Sequence, residues 1–209
     1  MIKLMLVDDH AIVRQGLRQV LGERPGLRVA AEASSGQEAI DLARKTPLDI
    51  VILDIGMPGR GGLDLLRDFK ELKPSLSVII FSMYPEEQYA IRCFKDGASA
   101  YVCKDSPPDE LLRAIHAVAQ GRRYITPSIG ERMAGLVLDS NSRPLHELLS
   151  DRELHVLLRI GAGKRVTEIA EELALSPKTV STYRTRILHK LGMKNSAQLI
   201  KYVMQEGLA

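Results

Sequence analysis

Short apolar runs punctuate the first half of the chain, at Ile2–Val7, Leu27–Ala33, Ile50–Leu53, residues 77–81 and Ala100–Cys103. Between them lie segments whose apolar positions recur at helical spacing. Short runs rich in Val, Ile and Leu are the pattern of strands buried on both faces. Strands alternating with helices, joined by right-handed crossovers, predict an α/β unit: an open five-stranded parallel sheet, doubly wound by helices. Helix ends are also written locally. Ser35 with Glu38 three residues later forms a capping box for a helix over Gly36–Lys45. For a helix over 107–120, Ser106 is the expected N-cap, Pro107 the first helical position, Asp109 the acid of the first turn and Gly121 the stop.

The pattern then changes. Periodicity weakens from Arg122 to Leu149, and residues 139–144, Asp-Ser-Asn-Ser-Arg-Pro, read as a polar linker, with a short helix possible over 129–138. Beyond Ser150 every signal is helical. Ser150 and Glu153 make a capping box, and Leu154, Leu157, Leu158 and Ile160 follow at helical spacing up to Gly161 and Gly163. A second helix covers 166–173. Ser176 and Pro177 start a third that runs to Leu191 and stops at Gly192, and a fourth covers Ser196–Gln205. The expected organisation is therefore an α/β domain over 1–121, a linker over 122–145 and a four-helix, all-α domain over 146–209.

Composition, 45% hydrophobic and 26% charged, fits a globular chain, with no apolar stretch near the length of a membrane span. The opening Met-Ile-Lys-Leu-Met-Leu-Val runs directly into Asp8 and reads as a first strand, not a signal peptide. Cys93 and Cys103 lack metal or redox spacing, so reduced thiols in a cytoplasmic protein are expected. Charge sharpens the division. Residues 1–120 carry 15 Lys+Arg against 17 Asp+Glu, a balance of −2, whereas 121–209 carry 14 against 9, a balance of +5. Between Leu173 and Gln205 stand Lys178, Arg184, Arg186, Lys190, Lys194 and Lys201 without one acid. Such a surface suits an anionic partner, most simply nucleic acid, although a solvated helix face has the same composition.

The strand ends carry the candidate chemistry. Asp8 and Asp9 follow the first strand, Asp54 the third, Ser82 the fourth and Lys104 the fifth. Taken singly, each is an ordinary N-cap, turn or surface residue. Together they place three carboxylates, a hydroxyl and an ammonium at the carboxyl edge, where open α/β sheets bind ligands. A carboxylate accepts a phosphoryl group only where other charges offset the phosphate's repulsion, which calls for a divalent cation and a fixed ammonium. Asp8, Asp9 and Asp54 are a donor set suited to Mg²⁺, Lys104 is a point charge for the phosphate, and Ser82 a neutral donor. An aspartate-nucleophile phosphatase would use the same aspartate, but its acid/base two residues on is replaced here by Gly56.

Val7-Asp8-Asp9-His10, Leu53-Asp54-Ile55-Gly56-Met57-Pro58, Phe81-Ser82 and Tyr101-Val102-Cys103-Lys104 resemble, in order and spacing, the receiver domain of bacterial two-component response regulators. The resemblance covers about residues 1–121 and implies a flavodoxin-like sheet of order 2-1-3-4-5. It makes Asp54 the phosphoacceptor, with Asp8, Asp9 and the Gly56 carbonyl helping to hold Mg²⁺. Ser82 and Lys104 would bind the phosphoryl group, Tyr101 would turn inward as Ser82 moves, and a sensor histidine kinase would be the donor. Three positions depart from the family pattern. Met83 stands where a small residue is usual and is expected to slow entry to the pocket. Gly61, in the turn Pro58-Gly59-Arg60-Gly61-Gly62, replaces the common Asn or Asp. Asp105 follows Lys104 in place of proline, so a cis peptide is not expected there. His10 is read as the start of the first helix, with no catalytic duty.

In the C-terminal part, two short helices and a longer basic one describe a helix-turn-helix, whose second helix enters the DNA major groove. On the wheel of 177–191, Val180, Ile187 and Leu191 share the inward face with Tyr183 at its edge. Lys178, Ser181, Thr182, Thr185, Arg186 and His189 lie opposite. Ser181, Thr182, Thr185 and Arg186 are candidates for base edges; Lys178, Thr179 and Lys190 for phosphates. A four-helix interaction domain is the alternative. Leu149-Ser150-Asp-Arg-Glu153, Glu168-Ile169-Ala170, Leu175-Ser176-Pro177-Lys178-Thr179-Val180 and Lys190-Leu191-Gly192 resemble the LuxR-type DNA-binding domain, and the whole chain resembles the NarL/FixJ family of transcription regulators. That resemblance implies a homodimer on double-stranded promoter DNA, pairing through 196–205, with RNA polymerase as a further partner and no membrane.

Overall fold

The computed structural model describes residues 1–57, 62–138 and 144–208. It divides into two compact units, Met1–Ala134 and Gly135–Ala209. Residues 58–61 of the expected Pro58–Gly62 turn, and 139–143 of the expected linker, lie outside the described residues.

In the first unit, β1 (Ile2–Val7), β2 (Leu27–Ala33), β3 (Ile50–Leu53), β4 (Ser77–Ser82) and β5 (Ala100–Cys103) form one parallel sheet in the order β2-β1-β3-β4-β5. The helices α1 (Ala11–Gly22), α2 (Gly36–Lys45), α3 (Gly62–Leu72) and α4 (Glu86–Lys95) connect the strands, and α5 (Pro108–Ala119) follows the last. Side chains alternate across a strand, so Leu4, Leu6, Ile50, Ile52, Ile79 and Val102 share one face. There they pack with Leu21 of α1 and Leu111, Ile115 and Val118 of α5. The out-of-phase set, Met5, Val7, Val51, Leu53, Val78 and Ile80, is equally buried on the opposite face. Each such side chain contributes about 1.5–3 kcal/mol on leaving water, which is why β3 is apolar throughout.

Register converts this core into a site. Val7 pairs with Leu53 and Leu53 with Ile80, so β1, β3 and β4 come level near their carboxyl ends. Ladder bonds continue past the strands: Asp8 N donates to Ala33 O (3.2 Å), Asp54 N to Val7 O (2.8 Å) and Lys104 N to Ser82 O (2.8 Å). The chemistry-bearing residues are thus fixed by the sheet itself.

Three expectations change in this unit. Ser35 caps α2 through Glu38 N (3.4 Å), but the Glu38 carboxylate reaches back to Ser34 N (2.8 Å) and not to Ser35 N, so the expected capping box is only half formed. Helix α5 begins one residue later than its capping pattern predicts. Pro107, not Ser106, is the N-cap, with φ −54 and ψ 142, and Pro108 is the first helical residue. The reason is steric: a residue before proline is driven out of the helical region, so the first proline of a Pro-Pro pair cannot open a helix. The expected linker is also partly folded. After Gly121 (φ +75), Tyr124 makes a parallel bridge to Ala100, with Tyr124 N donating to Ser99 O (3.0 Å). It thereby covers β5, the edge strand. Thr126 Oγ1 donates to the Glu86 carboxylate (2.9 and 3.0 Å), and α6 (Pro127–Leu138) follows, so 122–134 belong to the first unit.

The second unit contains a 3₁₀ turn (Leu145–Leu148), α7 (Asp151–Gly161), α8 (Val166–Glu172), α9 (Pro177–Leu191) and α10 (Ser196–Gln205). The local signals hold. Ser150 and Glu153 form the reciprocal capping box, Ser176 accepts from Thr179 N (3.1 Å), and Gly192 closes α9 with φ +66. Leu154, Leu157, Ile169, Val180, Ile187, Leu199 and Val203 make the core. Gly161 is a glycine at the end of a helix because α10 presses on it: a Cβ there would stand 2.4 Å from Val203 Cγ1.

Candidate functional site

At the carboxyl edge of the sheet, Asp8, Asp54 and Ser82 are buried, and the Lys104 side chain is nearly so. Lys104 Nζ donates to Asp8 Oδ2 and Asp54 Oδ2, each at 2.6 Å, and clamps the two carboxylates together. Burial alone would lower the ammonium's pKa; the hydrogen bonds and charges of Asp54 and Asp8 together outweigh it, so the net shift is upward and Lys104 stays charged. The other Asp54 oxygen, Oδ1, accepts Gly56 N–H at 2.7 Å. A Cβ on Gly56 would meet that oxygen at 3.2 Å, a tight contact that glycine avoids.

The loop after β1 completes the cluster. His10 N donates to Asp8 Oδ1 (2.8 Å), and the His10 ring approaches Asp8 Oδ1 (3.3 Å) and Asp9 Oδ1 (3.0 Å). Donor atoms of Asp8, Asp9, His10 and Asp54 all lie within 4.8 Å of one another. Three carboxylates against one ammonium leave two negative charges uncompensated among these four groups, and the buried Asp9 Oδ1 accepts no hydrogen bond. An orphaned carboxylate oxygen in a cluster of that charge fits a divalent cation bound through oxygen.

On the other side of Lys104, the Ser82 hydroxyl oxygen accepts Tyr84 N–H at 3.4 Å, and Tyr101 OH donates to Tyr84 O at 2.8 Å. Tyr101 is already turned inward and buried, and desolvation, followed by nearby Cys93, Tyr89, Cys103 and Asp54, drives its pKa well above the usual phenol value. Met83, expected to obstruct entry, is 58% exposed. No cis peptide occurs among the described residues. Neither Cys93 nor Cys103 is in a disulfide.

One contributor was not anticipated. Arg14 Nη1 donates to Asp8 O at 2.6 Å, with Nε 3.9 Å from Glu32, and so ties the acidic loop to the first turns of α1. Its place four residues after His10, one turn along the same helix face, is the signal that would have found it.

In the second unit, α9 buries Val180, Ile187 and Leu191 and exposes Lys178, Ser181, Thr182, Thr185, Arg186 and His189. Thr182 Oγ1 donates to Lys178 O (3.0 Å) and Thr185 Oγ1 to Ser181 O (3.1 Å), so each hydroxyl commits its proton to the helix and retains lone pairs. Two expected phosphate contacts also have local partners. Thr179 Oγ1 lies 2.8 Å from Ser176 Oγ within the N-cap, and Lys190 Nζ donates to Glu153 Oε2 at 2.6 Å. Burial would raise the Glu153 pKa; the bonds from Lys190 and Ser150 overcome it, and the net shift is downward. Arg184 Nε reaches Ser196 Oγ (2.7 Å) and links α9 to α10. Among the described residues no helix is long and apolar enough to cross a membrane.

Comparison with known proteins agrees with this division. The response regulator receiver domain family matches residues 4–116, and the LuxR family of bacterial regulatory proteins matches residues 147–203. Response regulator UvrY of Escherichia coli K12 is 36% identical over 209 residues, covering all of this chain and 96% of its own. Response regulator GacA of Pseudomonas syringae is 36% identical over 210 residues, covering all of this chain and 98% of its own. Among solved structures, RcsB of Salmonella enterica serovar Typhimurium, bound to promoter rprA in the presence of phosphomimetic BeF3⁻, is 28% identical with a TM-score of 0.64. It covers 98% of this chain and 99% of its own. With a receiver sheet in the order 2-1-3-4-5 and a LuxR-type helical domain after it in sequence, the chain belongs to the two-component response regulators of the NarL/FixJ family, phosphorylation-controlled DNA-binding transcription regulators.

Proposed function

We propose that Asp54 is the phosphoacceptor and that its phosphorylation sets promoter binding by the C-terminal domain. The observation that carries this reading is the buried Asp54 carboxylate, held through one oxygen by Gly56 N–H and through the other by Lys104, beside Asp8 and Asp9. An Asp54 carboxylate oxygen forms the new O–P bond as the N–P bond of a phosphohistidine on a sensor histidine kinase breaks, and the donor imidazole leaves with the electron pair. Lys104 moves from carboxylate to phosphoryl oxygen, and Ser82 donates its hydroxyl proton to another. Asp8, Asp9, Asp54 and the Gly56 carbonyl would hold Mg²⁺, which would supply neutralisation of the charge that gathers at the phosphoryl group. Loss of the phosphoryl group to water returns the switch, and any turnover is limited to that self-dephosphorylation.

Ser82 and Tyr101 meet at Tyr84, so a Ser82 hydroxyl drawn to the phosphoryl group pulls on the loop that also holds Tyr101. This is the route by which phosphorylation reaches the receiver surface and promotes a homodimer. In the C-terminal domain, Arg186 is the fork for guanine. Thr182 and Thr185 present acceptors to base amino groups, Ser181 reads a base edge, and Lys178 takes a phosphate. Thr179 and Lys190 contribute through the cap and the Glu153 pair. Residues 1–121 carry the receiver function, and 122–145, whose first part packs with the receiver, connect it to the DNA-binding domain of 146–209. The protein works in the cytoplasm, and RNA polymerase is the partner once DNA is bound.

Intact mass measurement after treatment with a small phosphodonor and Mg²⁺ tests the first step. The wild type gains one phosphoryl adduct and Asp54→Asn gains none; no adduct on the wild type, or an undiminished adduct on the variant, overturns the assignment. DNA affinity measured with and without the phosphodonor tests the coupling, which fails if the two affinities are equal.

A further inference from the structure

The His10 side chain does not cap its own helix. The residue is the N-cap of α1, yet its side chain makes no capping hydrogen bond, and the ring is 68% exposed. The imidazole instead turns back on the acidic cluster, with Nδ1 3.0 Å from Asp9 Oδ1 and 3.3 Å from Asp8 Oδ1. The Asp9 oxygen it approaches is buried and accepts no hydrogen bond. The four donor groups within 4.8 Å stand close to the separation of about 4.2 Å that opposite ligands keep across an ion with bonds of about 2.1 Å. The ring nitrogen thus stands beside a cluster oxygen that accepts no hydrogen bond, at a spacing that two neighbouring ligands of one ion can share.

We propose that His10 is a nitrogen ligand of this cation site and that it extends the site from magnesium to transition-metal divalent ions, with Asp8, Asp9 and Asp54 as the shared ligands. The proposal rests on the reading of the acidic cluster as the cation site. Magnesium is a hard ion that keeps oxygen ligands and water, so the imidazole adds little to its binding. Nickel, cobalt and zinc accept imidazole readily, and a nitrogen donor beside three carboxylates steepens the rise in affinity along the first transition row. Asp8, Asp9 and Asp54 provide the charge that any divalent ion requires, while His10 decides which ions gain beyond that charge. Its exposure leaves the ring free to adjust by rotation, without disturbing the buried Asp8 and Asp54.

Titration calorimetry on the full chain, with MgCl2 alone and NiCl2 alone, tests this on wild type, His10→Gln and His10→Ala, with circular dichroism to establish that each variant is folded. The expected result is a loss of Ni²⁺ affinity of about tenfold or more in both variants, with Mg²⁺ affinity essentially unchanged. Excess Mg²⁺ should displace Ni²⁺ from the wild type, and Zn²⁺ should shift the His10 imidazole nitrogen resonances of the unmutated protein. Equal Ni²⁺ affinity in wild type and variants overturns the proposal, as does a parallel loss of Mg²⁺, which would make His10 a support of the loop. Ni²⁺ that Mg²⁺ cannot displace places the ion on other histidines and overturns it too. Absence of Mg²⁺ binding in the wild type removes the cation site itself, and this proposal with it; retained Mg²⁺ binding without discrimination by His10 removes this proposal alone.

Discussion

The two units handle charge in opposite ways. In the receiver site the ionic groups are buried and hold one another: Lys104 bridges Asp8 and Asp54, and each would be costly alone. On α9 the groups facing outward are solvated, and Lys178 and Arg186 stand exposed on a helix without acids. The first arrangement behaves as a unit, in which removing one member leaves the others uncompensated. The second behaves as a set of nearly independent contributions, screened by salt. A switch input requires the former and a reader of a long polyanion the latter.

The largest effect belongs to the buried unit. Lys104→Ala should destabilise the receiver by about 3 kcal/mol, read by urea unfolding, because Asp8 and Asp54 lose their shared cation. Added Mg²⁺ should restore more stability to this variant than to the wild type, and an equal Mg²⁺ response in both would break the contrast. Next is Arg186→Ala, expected to cost about 1–3 kcal/mol of promoter binding and to relax preference at one base position, with thermal stability unchanged. Lys178→Ala should weaken all sequences alike and lower the slope of log affinity against log salt by about one.

Lys190 sharpens the comparison because it lies on the basic helix yet is held like a receiver residue. Lys190→Met should cost the C-terminal unit about 1 kcal/mol while leaving the salt slope of DNA binding intact. A slope reduced by one, with unchanged stability, would return Lys190 to the phosphate contacts. The same pair gives a pH signature. The folded-state pKa of Glu153 lies below the ordinary glutamate value, so its contribution is complete above the unfolded pKa and is lost as pH falls through the lower folded pKa. Glu153→Gln should flatten that part of the acid unfolding curve. The smallest effect is expected at Ala174, whose φ of +51 in the turn before α9 suits glycine. Ala174→Gly should shift stability by only a few tenths of a kcal/mol, since relief of the left-handed backbone is offset by the entropy glycine loses on folding.

Much of this was legible because it was local. Strands ended where a polar residue followed an apolar run, and Ser35, Ser150 and Ser176 marked helix starts through bonds that span three residues. The strand-end residues followed from parallel topology, since a parallel sheet must bring its carboxyl ends together. What escaped was set by contacts between distant residues or by competition between neighbours. Glu153 and Lys190 are 37 positions apart, and no spacing rule pairs them. Ser106 satisfied the rule for an N-cap, but Pro108 vetoed it through Pro107. Tyr124 joined the receiver by bridging β5, a placement that depends on an open sheet edge and not on its own neighbours.

Tyr84 shows how a signal can run where mutagenesis does not look. Its amide bonds Ser82 and its carbonyl bonds Tyr101, so the proposed link between phosphate and surface would pass through main-chain atoms that every amino acid but proline would supply. Side-chain truncation at this position would report the stacking of its ring on Tyr89 (4.9 Å between centroids) and leave the relay intact. The position is therefore free to diverge among relatives without loss of transmission, and its variability would conceal its importance.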